Sequence, residues 1–286
     1  MNQALKTVRS ARRAVIARVR ARMLAGAGAA VGLAAAAAFG PGMPAALAAT
    51  TSTPAITVAG GNSVIATQTS ANGLRFYWNM YGTSYWFGQQ VVGNNSTYSA
   101  PAIAQDRNNV IIAAEGPDHS LDFYWQQIGA TGWNGERVAG PGTTYSAPSM
   151  AVNGNTVNIA VDGPSGTVEF YWAVNGTTTW HQVSLTGPGA IPAPAITTDS
   201  TGPVVVARAV QGVLQSYASL DTSGNGQWVG QRVNNPGPQA ASAATVTINQ
   251  GSENIAVFGT AGDLEFYWED STGAFHEETV AAAGAN

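Results

Sequence analysis

The phrase Leu121-Asp122-Phe123-Tyr124-Trp125 constrains this chain more than any other feature, because versions of it recur along the sequence. Phe76-Tyr77-Trp78, Phe123-Tyr124-Trp125, Phe170-Tyr171-Trp172, Ser216-Tyr217-Ala218 and Phe266-Tyr267-Trp268 stand 47, 47, 46 and 50 residues apart. A near-constant period of that length marks a chain built by stacking one supersecondary unit. The register extends beyond the aromatic triplet. Pro54, Pro101, Pro148 and Pro194 each precede Phe76, Phe123, Phe170 or Ser216 by 22 residues, and Ala244 holds that place before Phe266. A second aromatic follows every triplet, at Trp86, Trp133, Trp180, Trp228 and Phe275.

Each unit reads as four short strands. In the second unit they run over 101–105, 110–115, 121–126 and 133–139, bounded by turns rich in Gly, Pro, Asn and Asp, the residues that strand ends and tight turns require. Four strands per repeat of about 47 residues predict an all-β, five-bladed β-propeller of four-stranded antiparallel blades. A β-solenoid or sandwich array is the competing arrangement. Every blade is complete within its own segment, so the ring is expected to close by packing blade five on blade one, or with blade boundaries shifted by one strand.

Residues 1–48 stand apart. They carry Lys6 and six arginines with no acid, then an Ala/Gly-rich run and Ala46-Leu47-Ala48, the layout of a signal peptide with a small-residue cleavage site. Arg12-Arg13 suits the twin-arginine route as well as the ordinary secretory one, and the alternative is an uncleaved anchor. Residues 49–286 then form the propeller domain, secreted or extracellular. Removing the signal leaves five arginines, no lysine and 16 acids, a net charge of about −11. Such a surface has no basic footprint for phosphate, which excludes nucleic acid and anionic membrane as partners after cleavage. No cysteine is present, so the domain is held by burial and hydrogen bonds alone.

Strand alternation puts Leu121, Phe123 and Trp125 on one face and Asp122 and Tyr124 on the other. In the fourth unit the Phe and Trp become Ser216 and Ala218, both on that first face, so a larger group is expected to fill the space there. The outer strand offers the candidate binding residues. Trp133 and Arg137 share a face, and Trp86 with Gln90 and Trp228 with Arg232 repeat the arrangement. An indole plate beside hydrogen-bond donors suits a sugar ring; the alternative is a Trp that braces the blade beside a solvated Arg. Glu115 and Asp162, at the end of the second strand, are candidate secondary contacts. His119, His181 and His276 share no metal-ligand spacing, and no nucleophile elbow or Ca²⁺ loop is written in the chain. No catalytic residue, metal or cofactor is expected.

The cadence Gly-x-x-Gly-x-Leu-x-Phe-Tyr-Trp with a second Trp, seen in Gly259-Thr260-Ala261-Gly262-Asp263-Leu264, resembles small propeller lectins. Unit number and length are similar to the five-bladed tachylectin-type lectins, and the cadence is similar to bacterial fucose-binding propeller lectins. The resemblance implies a non-catalytic, lectin-like protein that binds glycans or glycoconjugates at repeated weak sites, strengthened by multivalency. The rival readings are a scaffold propeller that binds cell-surface proteins and, less favoured, a polysaccharide hydrolase or lyase.

Overall fold

A computed structural model of the chain describes residues 52–284 except 223, 235, 236 and 238; the signal segment expected at 1–48 lies outside them. Twenty strands form five sheets of four antiparallel strands. Sheet one contains β1 (Ala55–Ala59), β2 (Asn62–Gln68), β3 (Leu74–Asn79) and β4 (Trp86–Val92). Sheet two contains β5 (Ala102–Asp106), β6 (Asn109–Glu115), β7 (Leu121–Gln127) and β8 (Asn134–Ala139). Sheet three contains β9 (Ser149–Asn153), β10 (Thr156–Asp162), β11 (Val168–Val174) and β12 (His181–Ser184). Sheet four contains β13 (Ala190–Thr198), β14 (Pro203–Ala209), β15 (Leu214–Ser219) and β16 (Trp228–Arg232). Sheet five contains β17 (Thr245–Asn249), β18 (Ser252–Phe258), β19 (Leu264–Glu269) and β20 (Phe275–Ala281). Within every sheet the strands pair in chain order, the simplest meander that short turns permit.

The aromatic triplet lies on the third strand of each sheet, and its alternation decides how sheets stack. Phe76 and Trp78 of sheet one pack with Val110, Ile112 and Tyr124 of sheet two. Phe123 and Trp125 of sheet two then meet Val157, Ile159 and Tyr171 of sheet three, and Phe170 and Trp172 meet Val205 and Tyr217 of sheet four. The rule is that the Phe/Trp face of one sheet covers the Tyr face of the next. The second aromatic reinforces it: Trp133 sets its edge on Phe76 (5.2 Å, 69°), Trp180 on Phe123 (5.2 Å, 68°) and Trp228 on Phe170 (4.7 Å, 66°). Edge-to-face pairs of this kind add about 0.5–1.5 kcal/mol to the burial itself.

The fourth sheet fills its lost aromatics from two sides. Val206 stands opposite Ser216, where Ala66, Ala113, Ala160 and Ala256 stand opposite Phe76, Phe123, Phe170 and Phe266. From sheet five the buried Glu253 reaches across, and Ser216 Oγ donates to its Oε2 at 2.5 Å.

Linkers between sheets are pinned at both ends. Thr97 N donates to Asn72 O behind it and Tyr98 N to Glu115 O ahead, and Thr144 and Tyr145 repeat this with His119 and Asp162. Ser99, Ser146 and Ser242 hydroxyls accept the backbone N–H groups of Glu115, Asp162 and Phe258.

The row of sheets begins on an uncovered face. The four hydrophobic clusters join consecutive sheets, and none spans the fifth and the first. Ile56 and Val58 of β1 are 68% and 61% exposed and Trp86 is 47% exposed, whereas Ile103 and Met150, at the place of Ile56, pack on the preceding sheet. Among the described residues, no hydrophobic cluster makes the closing contact expected between units one and five.

Candidate functional site

The sequence-predicted pairs occupy two kinds of place. Trp133 and Trp228 lie at the outer ends of inter-sheet contacts, each half-buried against the Phe of the preceding sheet. Trp86 and Gln90 are exposed on sheet one. Arg137 forms ion pairs with Asp118 (3.2 Å) and Asp122 (3.5 Å), and Arg232 Nε donates to Asn234 O. The glycine between each Trp and its polar partner has a packing cause. A Cβ on Gly88, Gly135 or Gly230 would come within 3.0, 2.9 or 3.1 Å of the ring of Tyr77, Tyr124 or Tyr217 on the neighbouring strand. Glu115 and Asp162 are buried, and Glu115 Oε1 lies 2.6 Å from His119 Nδ1. Burial pushes the Glu115 carboxyl up, and the His119 contact pulls it partly back.

A pocket of about 190 Å³ opens elsewhere, in the notch between sheets two and three. Its wall is aromatic, with Phe123, Trp125 and Trp180, and its rim is polar, with Asp106, Asn109, Glu136, Asn175, Thr177 and Thr178. Each polar group has a local reason for its place. Asp106 closes the β5–β6 turn opposite Asn109. Glu136 stands opposite Phe123 on β8 and so faces sheet three, where its Oε1 accepts the Trp180 indole N–H at 2.7 Å. Asn175, in the β11–β12 turn, donates through Nδ2 to Asp106 Oδ1. Its own Oδ1 is buried without a partner. Asp106 is only 6% exposed, and this burial pushes its carboxyl up, against the downward pull of Arg107 and of the Asn175 amide.

At the other inter-sheet contacts the equivalent places hold different groups. Between sheets one and two, Ala59 stands where Asp106 stands in the next unit, Gln89 where Glu136 stands, and Ile128 where Asn175 stands. Ile128 packs down close to Gly60, and Gln89 Nε2 donates to Thr131 O at 2.6 Å, tying the two sheets shut. Gln231 does the same between sheets four and five, donating to Gly273 O at 2.9 Å. Between sheets three and four the position of Glu136 is held by Val183, and Thr222 O accepts from Asn153 and Thr156. A carboxylate cannot donate to a carbonyl. Glu136 therefore cannot close its notch in that way, and the lining combines Asp106 and Glu136 of the second unit with Asn175 of the third.

Sequence reasoning placed the indoles on a binding surface and missed Asp106, Glu136 and Asn175. Their signal was present at fixed repeat positions: Asp106 and Asn175 stand where the preceding unit has the apolar Ala59 and Ile128, and Glu136 puts a charge where it has Gln89. Among the described residues no group of three or more His, Cys, Asp or Glu is arranged to hold a metal ion.

Solved structures with a similar fold exist. The chain is similar to the BP39L lectin from Burkholderia pseudomallei, with a TM-score of 0.69 at 17% identity over 81% of this chain and 70% of that one. It is similar to the fucose-specific lectin of Aleuria aurantia, described as a six-bladed β-propeller, with a TM-score of 0.53 at 14% identity over 79% and 75% of the two chains. What is shared is the propeller fold. The same fold likeness extends to an ancestral GH74 enzyme, with a TM-score of 0.57 at 17% identity over 79% of this chain and 35% of that one. No family model and no curated protein matches the sequence. At these identities the likeness carries architecture, and chemistry has to come from the site.

Proposed function

We propose that the chain is an exported, lectin-like five-bladed propeller, built from repeats of about 47 residues, that binds carbohydrate in the notch between sheets two and three. The observation that supports this is the notch itself: indole surface from Trp125 and Trp180 beside the acceptors Asp106, Glu136 and Asn175. A pyranose presents an apolar C–H face and a rim of hydroxyl donors, which is the complement of that lining. Binding among the solved neighbours accords with it, since the Aleuria aurantia protein is a fucose-specific lectin. Trp86 with Gln90, exposed on sheet one, is a second, weaker surface of the same kind; Trp133 with Arg137 and Trp228 with Arg232 complete the repeated set. Glycans or glycoconjugates are the partners in this reading.

The test is a glycan array on residues 49–286, followed by calorimetric titration of the best hit against the Trp125→Ala and Glu136→Gln variants. The reading expects one principal site lost in both variants while their circular dichroism stays native. Binding that survives both substitutions, or no glycan bound at all, overturns it. A second reading, glycoside hydrolysis, is favoured by one observation: two carboxyl groups, Asp106 with its pKa raised by burial and Glu136, line the same notch, and glycosidases use a carboxyl pair of which one is kept protonated. Release of reducing sugar from a bound glycan, abolished by Asp106→Asn, separates it from simple binding.

A further inference from the structure

We infer that the notch selects a sugar carrying a free, protonated amine over its neutral, N-acylated or acidic counterparts, an inference that rests on the carbohydrate reading above. The argument is a count of donors and acceptors. Of the side-chain donors on the lining, Asn175 Nδ2 is spent on Asp106, Trp180 Nε1 on Glu136 and Thr177 Oγ1 on Val174 O, which leaves the Asn109 amide and the Thr178 hydroxyl. The acceptors are in surplus: the carboxylates of Asp106 and Glu136 both border the pocket, and Asn175 Oδ1 is buried with no donor to meet it. No lysine or arginine lines the space; Arg107 follows Asp106 in the chain and lowers its carboxyl pKa from outside the lining.

A ligand that satisfies this wall must bring donors, and one that also brings positive charge makes charge-assisted bonds roughly twice as strong as neutral ones. The indole wall points the same way, because a cation over a tryptophan face is attracted by the ring quadrupole. The domain's net charge of about −11 after residues 1–48 are removed draws cations and disfavours uronic acids. A neutral sugar can use the acceptors through its hydroxyls. An ammonium group uses them with charge.

The experiment titrates residues 49–286 with glucosamine and galactosamine, with their N-acetylated forms, with glucose and galactose, and with glucuronate. At low salt an amino sugar should bind at least about tenfold tighter than its neutral parent, the margin of one charge-assisted bond. That margin should shrink as salt is raised and largely vanish in Asp106→Asn, which keeps the shape of the side chain. Should that variant misfold, the salt dependence of the native protein carries the test alone. Equal or tighter binding of the neutral or acetylated sugar overturns the inference and leaves the carbohydrate reading standing. Binding of none of these sugars, with an empty glycan array, overturns both.

Discussion

Sheet four is a natural variant of the inter-sheet contact, and it predicts what the same change does elsewhere. Phe123 is 7% exposed, stacks on Trp125 at 6.0 Å and receives the edge of Trp180. Phe123→Ser copies Ser216 into sheet two without the groups that fill its space. Truncating a buried Phe costs about 3–5 kcal/mol, and the stranded hydroxyl adds about 1 kcal/mol. Against a total stability of roughly 5–15 kcal/mol the loss is large; at ~2–4 °C per kcal/mol for a domain of this size, Tm should fall by roughly 10–20 °C. Ala113→Val supplies the partner that Val206 supplies opposite Ser216. On the native background it overpacks the site and should cost ~1–3 kcal/mol. On the Phe123→Ser background the same change should return about 1.5 kcal/mol, the value of two buried carbons. Thermal unfolding of residues 49–286 and of the three variants, followed by circular dichroism, measures this cycle. Valine changing Tm in the same direction on both backgrounds would refute the account of how sheet four is packed, as would a loss below ~3 °C for Phe123→Ser alone.

Glu136→Gln should let the amide donate across the notch as Gln89 and Gln231 do, so ligand titration should show the site lost while Tm holds or rises by a few degrees. Gly135→Ala should destabilise by ~1–3 kcal/mol through the Tyr124 ring, read as a shift in denaturant midpoint. Arg137→Ala should cost under about 1 kcal/mol, because both of its ion pairs involve a half-exposed guanidinium. Asp106 has a raised carboxyl pKa, so its ionised form disfavours the fold. Its contribution to stability is least at neutral pH and grows as pH falls through the raised value towards the ordinary 3.8. Relative to Asp106→Asn the native protein should therefore gain Tm on acidification while it loses ligand affinity, and parallel melting curves across that range check the sign.

Much of the architecture was legible in the chain because it depends on local period. Alternation along Leu121 to Gln127, turn residues at each strand end and a constant offset between triplet and second aromatic determine four strands per unit and a common face for Phe and Trp. The repeat also foretold that something larger would occupy the space beside Ser216. It did not say what, because Val206 and Glu253 reach that space from two different sheets. The notch was hidden for the same reason. Asp106, Glu136 and Asn175 lie on three different turns and strands, and each is unremarkable within its own segment; only stacking sheet three on sheet two brings them round Trp125 and Trp180. Composition gives the net charge, which is a sum over residues and needs no fold. Whether an indole braces a neighbour or faces a ligand depends on what stands across the interface. Trp133 and Trp180 occupy the same place in the repeat, yet Trp133 Nε1 is buried without an acceptor and Trp180 Nε1 meets Glu136. That difference belongs to the tertiary structure, because it is the facing sheet that decides whether the notch between them is filled or open.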